Sequence, residues 1–236
     1  NLTEYVVANE NTSYFSQDGV LFEQLVDGIS IFAYPRAKSG DSYTIPDGVT
    51  VIGVNSFAGS GLSNINFSNS VNTIEGGAFE GCSLTSVTIP DSVNSIGAMA
   101  FYGSPNLTTV VIGNGVTVIK SYAFLDCNNL KDITIGNNVE TIEYWAFAGS
   151  GYTAEVTDIT IPSSVISIGD NALAMNNLAN ITVSIGNTSY SSIDGVLYSY
   201  NQDEIILYPR AKSGDSYTVP DLSLIHISEP TRRYEI

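Results

Sequence analysis

The chain has 236 residues, of which 43% are hydrophobic and only 14% are charged, so it has enough apolar residues for a folded core. Acidic residues outnumber basic ones by 24 to 8, and a net charge of −16 excludes a protein that neutralises nucleic-acid phosphates. No stretch reaches the ~18 to 20 consecutive apolar residues of a membrane span.

The first 44 residues predict a β-hairpin module. Asp27-Gly28 is a strong hairpin-turn signal between two apolar runs. Within this module, Asp18-Gly19-Val20-Leu21 recurs 176 residues later as Asp194-Gly195-Val196-Leu197. Each of these Asp-Gly pairs is better explained as a solvated turn than as a calcium ligand, because no calcium-loop spacing surrounds either pair.

A longer duplication predicts a second hairpin module over residues 186–221. The letters YPRAKSGDSYT begin at Tyr34 and again at Tyr208, an offset of 174. The second copy therefore lacks two residues between Leu197 and Tyr208. A loss of two residues leaves each side chain on the same face of its strand, as expected for a hairpin that is shortened at its tip, and residues 201–203 form that tip in the second copy. We expect these modules to shield the ends of the structure between them, and the whole unit to be repeated in a longer parent protein.

Residues 45–185 carry an internal repeat of 22 to 23 residues, the strongest pattern in the chain. Each copy has a valine, an isoleucine three residues later, and a phenylalanine five residues beyond the isoleucine. The valines are Val49, Val71, Val93, Val116, Val139 and Val165, the isoleucines are Ile52, Ile74, Ile96, Ile119, Ile142 and Ile168, and the phenylalanines are Phe57, Phe79, Phe101, Phe124 and Phe147. The sixth copy has Leu173 in place of phenylalanine and follows a step of 26 residues, which indicates an insertion near residues 151–155.

Each repeat predicts one short strand and one tight turn. The run Leu84-x-x-Val87-x-Ile89 alternates with the period of two that is typical of a strand. The segment 96–104 is too short for an ordinary helix and predicts a single helical or 3₁₀ turn. Because one strand and one turn cannot bury an apolar face alone, the copies should stack into a β-rich repeat solenoid with a parallel sheet and a buried column of isoleucines and phenylalanines.

The repeat motif resembles that of the BspA-like, or treponemal-type, leucine-rich repeat family. The pattern L-x-x-[IV]-x-[IV]-P-x-x-V-x-x-I-G-x-x-A-F-x-G-C is clearest over residues 84–104 and 130–150, and the resemblance covers about residues 45–185. It implies a leucine-rich-repeat solenoid. It also implies a secreted or surface-anchored bacterial protein that adheres to host or neighbouring-cell ligands, with its signal peptide and anchor outside this sequence.

The residues supply no recognisable catalytic machinery. Hydrolase, NTPase and metalloprotease motifs are absent, and the single histidine, His226, lies in the tail 222–236. That tail departs from the repeat, and its first residues resemble a translated sequencing adapter, so we set it aside. We therefore expect neither an enzyme nor a cofactor.

The two cysteines predict buried thiols. Cys82 and Cys127 share a repeat position two rungs apart, and at ~4.8 Å per strand they lie about 10 Å from each other. A disulfide tolerates only about 7 Å between Cα atoms, and two cysteines alone do not make a metal site.

Two surfaces are candidates for ligand binding. The outward positions of successive strands form a ladder of small residues, Thr88, Val111, Thr134 and Thr160, for which the alternative is a plain solvated strand face. Two residues before the phenylalanines, consecutive rungs carry Met99, Tyr122 and Trp145, whereas other rungs have glycine or asparagine there. The core does not require large side chains at such a position, so they should be partly exposed and form a partner site. The alternative is that they only cover the ridge between rungs.

The leading hypothesis is a non-enzymatic extracellular or cell-surface protein that binds an unidentified protein or glycan. The charge of −16 would steer basic partners toward it. Two alternatives stay open. In the first, the solenoid is a structural spacer that presents another domain. In the second, it is an accessory region of a larger carbohydrate-active enzyme.

Overall fold

The computed structural model describes residues 2–149, 155–214 and 216–219. In these ranges the chain is a β-solenoid of about seven turns, so the predicted stack of 22- to 23-residue repeats is confirmed. The insertion predicted near residues 151–155 and the tail 222–236 fall outside the described residues, except for Glu155.

Nineteen strands occur in the described ranges, and no helix. The strands are β1 (Tyr14–Gln17), β2 (Val20–Leu25), β3 (Gly28–Ala33), β4 (Ser42–Thr44), β5 (Val49–Ile52), β6 (Asn64–Asn66), β7 (Thr73–Ile74), β8 (Ser86–Ile89), β9 (Ser95–Ile96), β10 (Thr109–Ile112), β11 (Val118–Ile119), β12 (Asp132–Thr134), β13 (Thr141–Ile142), β14 (Asp158–Ile161), β15 (Ser167–Ile168), β16 (Asn180–Val183), β17 (Tyr190–Ile193), β18 (Val196–Ser199) and β19 (Ile205–Leu207). Because the repeats stack, each strand from β4 to β16 pairs with a strand of an adjacent rung rather than with its neighbour in sequence, whereas β1-β2-β3 and β17-β18-β19 are antiparallel pairs of consecutive strands.

Each repeat contributes two strands, where the alternation of apolar residues predicted one. The predicted strands form short parallel sheets, β4-β6, β8-β10-β12 and β14-β16. A second strand, at the isoleucine of each repeat, joins a sheet of order β1-β2-β3-β5-β7-β9-β11-β13-β15. From β7 onward its strands are only two residues long, too short for a period of two to show in the sequence.

The segment from each isoleucine to the next predicted strand forms the third side of the coil, called here the turn side. It is a run of hydrogen-bonded turns rather than the single helical or 3₁₀ turn that its length suggested. In the rung of Phe101, both Met99 and Gly103 have positive φ, 59° and 62°. Two left-handed residues within five positions prevent the repeated right-handed conformation of a helix.

A column of stacked phenylalanine rings fills the core. The rings of Phe57, Phe79, Phe101, Phe124 and Phe147 follow one another at centroid distances of 5.0, 5.1, 5.0 and 5.2 Å. Tyr34 extends the column at 5.0 Å from Phe57. The isoleucines of the first five repeats lie beside it and are fully buried, whereas Ile168 in the last is half-buried. The stacking exploits the parallel register, which places identical residues one strand spacing apart.

A column of hydrogen-bond donors runs beside the rings. Cys82, Ser104 and Cys127 occupy one repeat position, and their Sγ or Oγ atoms donate to the carbonyl oxygens of Phe57, Phe79 and Phe101 at 3.0, 3.1 and 3.2 Å. Both cysteines are free and buried, as their spacing predicted. Burial raises the pKa of the Cys82 thiol and raises that of Cys127 to about 12.

The two hairpin segments have matching turns. Asp18 and Gly19 have φ of 50° and 74°, and Asp194 and Gly195 have φ of 49° and 76°, the conformation with positive φ at both central residues that suits a two-residue hairpin. Strand β3 pairs in parallel with β5, so the first segment continues the long sheet. The second, β17-β18-β19, forms an antiparallel sheet of its own. The module boundaries 1–44, 45–185 and 186–221 stay predictions.

Candidate ligand-binding surface

The backbone explains the mixed composition of the position that carries Met99, Tyr122 and Trp145. These residues have φ of 59°, 63° and 56°, in the left-handed region. The same position has positive φ at Gly77, Asn55 and Asn171. Glycine and asparagine tolerate this conformation, whereas a bulky residue there costs roughly 1 to 2 kcal/mol. The glycine and asparagines that recur at this repeat position were a sequence signal for positive φ, and the sequence reasoning missed it.

The three predicted residues lie on the turn side in consecutive rungs. Met99 is 43% exposed, and Tyr122 and Trp145 are half-buried. Backbone bonds join the rungs here, because Met99 N donates to Ser121 O at 3.2 Å and Tyr122 N to Tyr144 O at 3.1 Å. The structure therefore brings all three into one column.

Sequence reasoning missed Tyr144, which is 41% exposed and connects two of the predicted residues. Its ring lies edge-on to Tyr122 at 5.5 Å and tilted against Trp145 at 5.7 Å. Its repeat position holds Gly76 and Ala98 in other rungs, so nothing periodic pointed to it.

Two further side chains extend this surface. Tyr102 and Leu125 each stand three residues after a column member, and their amides donate to Met99 O and Tyr122 O at 3.0 and 3.1 Å. Both are half-buried. The turn-face patch is defined here as Met99, Tyr102, Tyr122, Leu125, Tyr144 and Trp145.

Polar and acidic residues border the patch. The preceding rung has Gly77 at the column position, with a Glu80 carboxylate oxygen 3.4 Å from where a side chain would begin. The following rung has the exposed Asp170 and then Asn171. An apolar centre with a polar rim is the usual composition of a protein interface.

Glu143 lies beside the aromatic cluster and is held by the preceding rung. Its carboxylate accepts hydrogen bonds from Ser121 N and Oγ, both at 2.9 Å, and from Lys120 Nζ at 3.1 Å. Partial burial raises the pKa of Glu143, but the bonds from Lys120 and Ser121 lower it more, so the pKa lies below its ordinary value. Glu143 thus stays ionised and fixed at this edge.

The few basic side chains are mostly occupied within the chain. Lys120 and Lys131 pair with Glu143 and Glu155 at 3.1 and 2.7 Å. Three others donate to acceptors on the chain: Lys38 to Asp18 O, Lys212 to Asp194 O and Arg210 to Asn176 Oδ1. No carboxylate in the described ranges is buried, so the surface presents an excess of negative charge.

One polar atom of the patch is unsatisfied. Trp145 Nε1 is buried and has no hydrogen-bond partner among the described residues. Buried donors without a partner are uncommon in folded proteins.

The structure divides the other candidate surface. Thr88, Val111 and Thr134 are aligned by the parallel register of β8, β10 and β12 and border a shallow groove of about 450 Å³. Thr160 belongs to a different sheet, in register with Thr182. The hydrogen-bond pairing therefore does not run through the whole ladder but is interrupted between Thr134 and Thr160.

Two further findings concern the chemistry of the described residues. In these ranges no three His, Cys, Asp or Glu side chains come together as they would around a metal ion. Nor does this part of the chain hold a helix with the length and apolarity to cross a bilayer.

The sequence matches a family profile described as "BspA type Leucine rich repeat region (6 copies)" over residues 28–154, 95–212 and 151–228. None of the curated proteins compared with this chain matches it.

Solved bacterial structures share the fold. A leucine-rich repeat protein from Eubacterium ventriosum is 23% identical to this chain with a TM-score of 0.64. The alignment covers 84% of this chain and 57% of the E. ventriosum protein. A leucine-rich cell surface protein from Faecalibacterium prausnitzii is 27% identical with a TM-score of 0.64, covering 92% and 66%. The pneumococcal vaccine antigen PcpA is 21% identical with a TM-score of 0.59, covering 89% and 60%. The chain thus spans less than two thirds of the length of each.

Proposed function

Because this chain belongs to the BspA-type leucine-rich repeat family, we propose that it is a non-enzymatic extracellular or cell-surface protein that binds a protein or glycan ligand as an adhesin does. The similar F. prausnitzii protein is described as a cell surface protein, which supports this location. The proposed binding needs no cofactor. The observation that carries the proposal is the turn-face patch.

The strained backbone of the patch argues for a role beyond stability. Gly77 occupies the column position in the rung just before Met99, so the fold accepts a residue without a side chain there. Methionine, tyrosine and tryptophan instead hold three consecutive rungs, at roughly 1 to 2 kcal/mol of backbone strain each. Residues in such conformations cluster at binding sites, and aromatic residues and methionine are enriched in interfaces.

The charge distribution favours a basic ligand surface. Glu80 and Asp170 lie in the rungs on either side of the apolar centre, and most basic side chains are engaged within the chain, Lys120 with Glu143 among them. A partner that places an apolar residue on the patch and Lys or Arg at its rim matches this arrangement, and long-range attraction would raise its association rate at low salt.

A binding experiment tests this function. The full chain, a Met99→Gly/Tyr122→Gly/Trp145→Gly variant and a Thr88→Ala/Thr134→Ala/Thr160→Ala control are applied to an array of extracellular-matrix proteins and glycans. Glycine is chosen because Gly77 is native at this position, so the backbone is preserved. We expect binding to be lost in the glycine variant and kept in the threonine control.

The other outcomes are equally informative. Binding that survives the glycine variant but not the threonine control would move the site to the strand faces. Absence of binding to every ligand on the array would contradict the proposal and favour a spacer that presents another domain.

A further inference from the structure

The aromatic half of the turn-face patch is a ring cluster, defined here as Tyr122, Tyr144 and Trp145. The ring of Tyr144 meets that of Tyr122 at an interplanar angle of 89° and that of Trp145 at 52°. Rings inclined in this way do not form a flat stack, so their faces point in different directions. An aromatic face carries negative charge and its edge positive charge, and protein sites for organic cations are built from several such faces.

The fold does not require the exposed ring of this cluster. Tyr144 is 41% exposed, and the same repeat position holds Gly76, Ala98 and Ser121 in the preceding rungs. Tyr122 and Trp145 are half-buried. A cation that lies over partly buried rings loses some of its water, and the cation–π attraction is stronger under that condition.

Two carboxylates border the ring cluster. Glu143 directly precedes Tyr144, and Ser121 N and Oγ hold one of its oxygens at 2.9 Å. Asp170 has the repeat position of Tyr144 in the next rung, where its backbone carbonyl accepts from Trp145 N at 3.2 Å, and the residue is exposed. Negative charge therefore lies beside the rings in their own rung and in the next one, which favours a cationic ligand over a neutral one.

The lysine beside the cluster is already engaged. Lys120, two residues before Tyr122, donates to the other oxygen of Glu143 at 3.1 Å. The side chains of this pair are 46% and 30% exposed, and an ion pair at such exposure is weak. A guanidinium group can bind a carboxylate through two parallel hydrogen bonds and also stack on an aromatic face, so an incoming arginine competes well with this lysine.

We propose that the ring cluster binds the guanidinium group of an arginine in a basic segment of a protein partner, with Glu143 and Asp170 flanking the cation. This inference rests on the proposed function and narrows its ligand from a protein or glycan to a protein with exposed arginines. Met99 and Leu125, on the other half of the patch, contact an apolar residue next to that arginine. The net charge of −16 attracts such a partner, and the rings select where its arginine binds.

A pair of short peptides tests this chemistry in solution. Trp145 is the only tryptophan of the chain, so its emission reports binding at the cluster itself. The full chain is titrated with acetyl-Gly-Arg-Leu-Arg-Gly-amide and with the same peptide carrying citrulline, which replaces the charged guanidinium by a neutral urea of nearly the same shape. We expect a saturable change of emission with the arginine peptide and at least about tenfold weaker binding of the citrulline peptide. Equal affinities, or no saturable change with either peptide, would overturn the proposal.

Two tyrosine variants separate a cation–π contact from attraction by charge alone. Tyr144→Leu removes one ring face but keeps an apolar side chain, and we expect it to weaken binding of the arginine peptide about fivefold. Tyr200→Leu is the matched control, because Tyr200 is a 55% exposed tyrosine outside the patch, and it should leave the affinity unchanged. Asp170→Asn should weaken binding and reduce its dependence on salt. The same loss of affinity in both tyrosine variants, or a loss in neither, would contradict the cation site.

The peptide titration and the ligand array fail in different ways. An array ligand that needs the turn-face patch, together with arginine and citrulline peptides that bind alike, would leave the adhesin proposal standing and overturn the cation site. An arginine peptide that binds as expected, with no ligand on the array, would support the cation site and contradict the adhesin proposal.

Discussion

Replacing Met99 by glycine and by alanine measures the strain stored in the turn-face patch. Met99 has φ of 59° and is 43% exposed. Both substitutions remove the same partly buried side chain, so the difference between them reports the backbone. An L-residue in the left-handed region costs about 1 to 2 kcal/mol, while glycine loses about 0.4 to 1 kcal/mol through unfolded-state entropy. Glycine should therefore be the more stable of the two by about 0.5 to 1 kcal/mol.

Tyr144 is the control for this comparison. It is 41% exposed on the same patch, but its φ is not positive. Tyr144→Gly should therefore be less stable than Tyr144→Ala by about 0.4 to 1 kcal/mol, the opposite sign. The free energy of unfolding of all four variants is measured by urea titration at constant m-value. If alanine were the better residue at position 99 as well, the argument that strain is retained for binding would be refuted.

Three further predictions concern the core. Phe101→Ala empties the middle of the ring column and should cost about 3 to 5 kcal/mol by chemical denaturation, and a loss below about 1 kcal/mol would contradict the buried column. Ser104→Ala should cost about 1 to 2 kcal/mol because Phe79 O loses its donor, whereas Ser104→Cys, the residue of the neighbouring rungs, should be nearly neutral in the same assay. Burial raises the pKa of the Cys127 thiol to about 12 from 9.0. This thiol should therefore not be alkylated by iodoacetamide at about pH 8.5 until the protein unfolds. Stability should fall as the pH rises from about 9 to 12, where only the unfolded thiol ionises, and Cys127→Ser should reduce that slope.

Most of the fold could be predicted from the sequence because its core is periodic. The buried phenylalanines recur at intervals of 22 or 23 residues, and parallel stacking turns nearly equal intervals into contacts. The buried cysteines followed from the same interval, since it separates the two positions by two rungs.

The candidate site was only partly predictable. The column of Met99, Tyr122 and Trp145 was visible as large residues at one repeat position. Its left-handed backbone was also encoded there, in the glycine and asparagines of other rungs, although the sequence reasoning took them only as a sign of exposure. Tyr144 could not be predicted, because its contacts with two rings depend on how adjacent rungs align on the turn side.

The sequence by itself determined which residues are buried together, because hydrophobic burial at a fixed interval leaves one stacking register. Only the tertiary structure decided the two-residue strands of the long sheet and the division of the threonine ladder between two hydrogen-bonded sheets. These features arise from hydrogen bonds between rungs about 22 residues or more apart, and two residues of sequence carry no local preference strong enough to specify them.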